Sequence, residues 1–149
     1  MIVYLAGLIS TDHPESIKWR ENACYLLGRD IAGVAVRSPV RGKDLHTSKD
    51  GGLTVAHSEG TSKDIITRDY NDIKLSTVML VNLNTWGSTR PLVGTLMELA
   101  WAWQMQMPVV AFCSAADTLM RTHPFVKESV SHYCETMEEA IEFVRRYYA

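Results

Sequence analysis

Five short runs rich in apolar and β-branched residues punctuate the chain, at Ile2–Ala6, Val34–Val36, Thr77–Leu83, Val109–Phe112 and, more weakly, His132–Cys134. Each reads as a strand. Between them the apolar positions take up helical spacing over 15–28 (Trp19, Ala23, Leu26 and Leu27 on one face), 63–74, 93–106 and 136–147. Runs such as Val78-Met-Leu-Val81 have no polar interleaving, the pattern of strands covered on both faces in a parallel sheet. The alternation predicts an α/β fold. Its last helix is the best marked, because Thr136-Met-Glu-Glu139 is a capping box and Met137, Ala140, Ile141 and Val144 follow on one face.

One stretch breaks the alternation. Residues 38–62 are polar and carry Gly42, Gly51, Gly52 and Gly60, so they read as a long loop. A lid over a site at the strand ends and a plain surface segment both fit. The 149 residues otherwise suit one domain, 1–149, large enough to bury roughly 70% of its unfolded surface without staples.

Composition adds mainly exclusions. With 46% hydrophobic and 21% charged residues and a mean hydropathy of −0.07, the chain is neither disordered in type nor membrane-like. A net charge of −2 offers no general attraction to a phosphate backbone, so nucleic acid is not an expected partner. No apolar run reaches the ~20 residues of a membrane span, since Glu98 interrupts the longest and Pro108 ends it. Met1–Gly7 lacks a basic flank and reads as a strand rather than a leader. Cys24, Cys113 and Cys134 are widely spaced and read as reduced core thiols, which suits a cytoplasmic protein. The five histidines show no ligand spacing, so no metal is expected. GxGxxG after the first strand, GxxxxGK[ST] and GxSxG are all absent, against dinucleotide oxidoreductases, P-loop NTPases and α/β-hydrolases.

Four features can carry chemistry. Glu98 is the only charged residue between Pro91 and Ala116 and lies on the apolar segment Leu96-Met-Glu-Leu-Ala-Trp-Ala-Trp103. A carboxylate there is either a functional group beside the sheet or a helix-start acid facing solvent. In open α/β sheets the helix start after a strand is where ligands bind, which draws attention to Gly94 and Thr95 as well. Asp69, in Thr67-Arg-Asp-Tyr-Asn-Asp-Ile73, precedes a strand; it and Asp72 also read as solvated helix acids. Tyr4 is a core aromatic or a phenol holding a carboxylate, and Ala6 and Gly7 end the first strand where a ligand can approach backbone. Arg41, Gly42 and Lys43 open the long loop and, with Arg68 and Arg90, form a candidate phosphate-binding set.

Taken in order, Tyr4-Leu-Ala-Gly7, Arg68-Asp-Tyr-Asn-Asp-Ile73 and Val93-Gly-Thr-Leu-Met-Glu-Leu99 before Pro108 resemble the nucleoside 2-deoxyribosyltransferase family. Ser38-Pro-Val-Arg-Gly-Lys43 resembles its short phage and bacterial members. The resemblance implies a flavodoxin-like three-layer sandwich with strand order 2-1-3-4-5, and cleavage of an N-glycosidic bond without a cofactor. By matching positions, it implies that Glu98 is the nucleophile, Asp69 the acid that holds or protonates the base, and Tyr4 the group that orients the nucleophile. The sugar would pass from a (deoxy)nucleoside or its 5′-monophosphate through a glycosyl ester to a second base or to water. The chain departs from the family at Arg90-Pro-Leu-Val93, which lacks both the acid of many transferases and the serine of some nucleotide hydrolases.

Two other readings stand beside this one: hydrolysis of another N-riboside such as NAD, and a nucleotide sensor without turnover. The resemblance also implies a homo-oligomer, dimer or larger; Trp101, Trp103, Met105 and Met107 form an apolar strip that a subunit contact and burial inside the domain explain equally well.

Overall fold

The structure is a computed structural model and describes residues 1–41, 44–47, 53–56, 61–117 and 119–149. β1 (Ile2–Gly7) leads into α1 (Glu15–Asp30), and β2 (Ala35–Arg37) follows. After a hairpin of β3 (Asp44–Thr47) and β4 (Leu53–Ala56) come α2 (Ser62–Lys74), β5 (Val78–Asn82), α3 (Val93–Gln104) and β6 (Val109–Phe112). Two short helices, α4 (Leu119–Thr122) and α5 (Pro124–Ser129), precede β7 (His132–Cys134) and α6 (Met137–Tyr148).

The main sheet runs β2-β1-β5-β6-β7 and every pair in it is parallel. Counting only its own strands, this is the expected order 2-1-3-4-5 of a flavodoxin-like fold. Because side chains alternate along a strand, β1 feeds two cores. Val3 and Leu5 pack with Trp19, Ala23 and Leu27 of α1 and Ile141 and Val144 of α6. Tyr4 and Ala6 pack with Ile73 of α2, Leu99 and Ala102 of α3 and Val126 of α5. The capping box at Thr136–Glu139 is formed, and Thr61–Asp64 makes a second one at the start of α2.

Several expectations need correcting. The segment 38–62 contains an antiparallel hairpin, with Asp44 opposite Ala56 and Thr47 opposite Leu53. Strands of four residues are too short to stand out as a pattern against so polar a background. Much of the lid reading falls on residues 42, 43, 48–52 and 57–60, outside the described residues. Cys24 is exposed, because it lies on the outer side of α1, while Cys113 and Cys134 are buried. The helix expected over 93–106 stops at Gln104 in a Schellman motif: Gln106, at φ 54°, donates to Trp103 O, and Met107 donates to Ala102 O. No helix among the described residues is long and apolar enough to cross a membrane.

Candidate active site

β1 and β5 end side by side, with Gly7 opposite Asn82. Gly7 has φ 150°, and a Cβ on it would meet the Asn82 carbonyl oxygen at 2.8 Å. Only glycine fits there. Just beyond this point is a cavity of about 260 Å³, walled by Gly7, Leu8 and Ile9 after β1, by Pro39, and by Pro91 to Thr95 at the start of α3. Asp69 of α2 and Glu98 of α3 complete it. The cavity therefore occupies the carboxyl end of the strands, where open α/β sheets bind ligands.

Glu98 is 7% exposed, so the solvent-facing reading of this helix acid does not hold. It sits one turn past the helix start, on the side of α3 that also buries Thr95, Leu99 and Ala102. Tyr4, fully buried, donates its hydroxyl to Glu98 Oε1 at 2.6 Å. Burial and the neighbouring carboxylates of Glu98 and Asp69 push the phenol far above its ordinary pKa, so Tyr4 remains a neutral donor. Core aromatic and carboxylate holder are thus the same residue.

Asp69 is also buried, and Arg68 donates to its Oδ1 from Nε at 3.1 Å and from Nη2 at 2.9 Å. The same guanidinium donates to the carbonyls of Arg41 and Pro39, at 2.9 and 2.7 Å. Arg68 therefore pins the chain after β2 to the acid. Arg41 approaches Asp72 at 2.9 Å, and Arg90 approaches Asp12 at 3.3 Å. Gly94 and Thr95 line the cavity; Ala6 lies beneath it in the sheet core. Gly42 and Lys43 lie outside the described residues. Among the described residues no three His, Cys, Asp or Glu side chains group as a metal site.

Two residues of this region were not singled out from sequence. Ser16 and Arg20, one turn apart on α1, are both buried. Ser16 Oγ accepts from Ser10 N at 2.9 Å and donates to Ser10 O at 3.0 Å. Arg20 donates to the carbonyls of Gly7, Leu8 and Ser16. The available signal was their position: both share the helical face of Trp19, Ala23 and Leu27, where a polar side chain must find buried partners. A larger groove, about 710 Å³, lies at the opposite end of the sheet between Trp103, Met107, Pro108 and Ser131. Its one acid, Glu128, is exposed, so the groove lacks the paired buried groups of the smaller cavity.

Solved structures of similar fold include two enzymes. A 2-deoxyribosyltransferase from Bacillus psychrosaccharolyticus superposes with a TM-score of 0.63 at 16% identity, over 99% of this chain and 92% of that one. A 2-desoxiribosyltransferase from Leishmania mexicana gives 0.65 at 14% identity, over 99% of both chains. The chain has the fold of the 2-deoxyribosyltransferases. A conserved protein from Enterococcus faecalis V583 is equally similar, with a TM-score of 0.68 at 14% identity over 95% of this chain and 94% of that one. No family model matches the sequence, and no curated relative matches it.

Proposed function

We propose that this protein cleaves the N-glycosidic bond of a (deoxy)nucleoside or a nucleoside 5′-monophosphate, with Glu98 as nucleophile. The observation that carries this reading is the 2.6 Å Tyr4–Glu98 hydrogen bond at the base of a cavity that Asp69 also enters. A Glu98 oxygen attacks C1′ of the sugar as the C1′–N bond breaks, and the departing base takes the electron pair. Asp69, held by Arg68, binds that base and supplies a proton where one is needed. The resulting glycosyl ester passes the sugar to a second base or to water. Pro91 and Leu92 add apolar lining to the cavity that Glu98 and Asp69 share, and the extent to which bound substrate excludes water there decides between transfer and hydrolysis. A chromatographic screen of nucleosides and 5′-monophosphates, with and without a second free base, tests the reading. Base release or exchange by wild type but not by Glu98→Ala is expected; turnover retained in that variant rules it out.

We further propose that copies of the chain associate through the outer face of α3. Val93, Leu96, Met97 and Trp103 are exposed there at helical spacing, whereas Trp101, Met105 and Met107 of the expected strip pack against the core. A helix apolar on two sides has a second surface to cover. Light scattering should give a dimer or larger, and Met97→Asp should reduce it to monomer.

A further inference from the structure

Asp69 has a companion one turn further along α2. Asp72 is 6% exposed, so it is not a solvated helix acid, and among the described residues its carboxylate meets two arginines from outside the helix. Arg41 Nη2 lies 2.9 Å from Oδ2; Arg37 Nε, at the end of β2 and beside Tyr4 in the sheet, lies 4.0 Å from Oδ1. Neither Asp72 Oδ2 nor Arg37 Nε makes a well-directed hydrogen bond with the described residues. The cluster is held by charge more than by directed bonding.

What the cluster holds is a turn. Ser38-Pro39-Val40-Arg41 has Pro at its second position and is closed by its own bonds, Arg41 N donating to Ser38 O at 3.0 Å and Val40 N to Ser38 Oγ at 3.4 Å. Those bonds shape the turn without deciding where it sits on α2. Arg68 gives one attachment, donating to Pro39 O and Arg41 O while it holds Asp69. The Arg41–Asp72 pair gives another on the same helix face, three residues on. Thus anchored, the turn presents buried Pro39 to the cavity that Asp69 also lines. A buried ion pair is often no more stabilising than apolar packing of the same volume, so what Asp72 adds here is the fixed place of the turn.

We propose that Asp72 is a positioning residue that sets base specificity: through its ion pair with Arg41 it fixes the Ser38–Arg41 turn on α2, and so fixes the place of Pro39 relative to Asp69 at the end of the cavity that receives the base. The proposal rests on the glycosyl-cleavage reading above, in which Asp69 binds the base. A rigid pyrrolidine ring held at a set distance from a hydrogen-bonding acid gauges the size of the base between them, purine or pyrimidine.

The test is steady-state kinetics of base release from purine and pyrimidine nucleosides and their 5′-monophosphates by wild type, Asp72→Asn, Asp72→Glu, Arg41→Met and Ser76→Ala, with folding checked by circular dichroism. Asp72→Asn keeps the shape and removes the charge. It should raise KM about tenfold with kcat within about threefold, and bring the purine-to-pyrimidine ratio of kcat/KM about tenfold closer to one. Asp72→Glu keeps the charge and should recover most of the wild-type ratio, and Asp72→Asn combined with Arg41→Met should be no worse than either alone. Ser76→Ala deletes the 2.7 Å bond from Ser76 Oγ to Asp72 O, which does not reach the turn, and should change neither quantity. If Asp72→Asn does not fold, Arg41→Met, at a half-exposed side chain, cuts the same pair. Unchanged KM and ratio in the neutral variants, a fall in kcat alone, an equal shift in Ser76→Ala, or a wild type that treats purine and pyrimidine alike overturns the proposal while the cleavage reading survives. So does an effect confined to Arg41→Met and to 5′-monophosphates, which would make Arg41 a phosphate ligand instead. Wild type inactive on every substrate overturns both.

Discussion

The two faces of β1 differ in what they tolerate. On one, Val3 and Leu5 pack with apolar side chains from α1 and α6. On the other, Tyr4 and Ala6 share a core with Leu99 and Ala102, and the same layer takes in a phenol, two carboxyl groups and their hydrogen bonds. Alternate residues of a single strand thus face an apolar core on one side and the proposed site on the other. A buried carboxyl stabilises nothing by being there, whereas a buried Leu contributes about 1.5–3 kcal/mol. Substitutions on the two faces should therefore separate activity from stability.

The largest effect belongs to Glu98→Gln. Loss of the proposed nucleophile should lower kcat by about 10⁴-fold or more, with the melting temperature unchanged or raised; a tenfold loss is too small for a nucleophile. Leu5→Ala on the opposite face should reverse the pattern, losing about 2–5 kcal/mol in denaturant titration with kcat unaltered. Gly7→Ala joins the two behaviours, because its Cβ collides with the backbone of β5 under the cavity wall. It should cost about 1–3 kcal/mol and most of the activity, and retention of both would show that the strand ends can part. Tyr4→Phe removes one hydrogen bond and keeps the ring, so a fall in kcat of about 10–100-fold with a stability change within about 1.5 kcal/mol is expected. The smallest effect is at the thiols. Burial raises Cys113 to about 11, so at pH 8 it stays protonated, and iodoacetamide should label exposed Cys24 first without loss of turnover.

Both faces were legible to different degrees. The apolar face could be read by period alone, since Trp19, Ala23 and Leu27, and Ile141 and Val144, repeat at helical spacing and do bury. Glu98 stood out because it interrupts such a run, and its burial follows from the same neighbours that made it conspicuous. Its bond to Tyr4 lay beyond any local pattern, because the partners are 94 residues apart and meet only through the crossover order of the sheet. Arg68 stood out as a cation beside Asp69. That it also bonds two backbone carbonyls leaves no mark in a sequence. Arg20 was hidden for the opposite reason: a single arginine on a charged surface helix attracts no notice until the helix is turned towards the sheet.

The separation of Tyr4 and Glu98 also sets when the site can exist. β1 is made before its partners, and its central pairing with β5 and the docking of α3 await the roughly 90 residues that separate Tyr4 from Glu98. Closing so long a loop is entropically expensive and slow, so no early folding unit contains both groups. On a ribosome the chain would emerge with its phenol waiting and its carboxylate not yet translated. Hydrogen exchange at the amides of β1 and recovery of activity on refolding should consequently proceed together, as two readings of one late event.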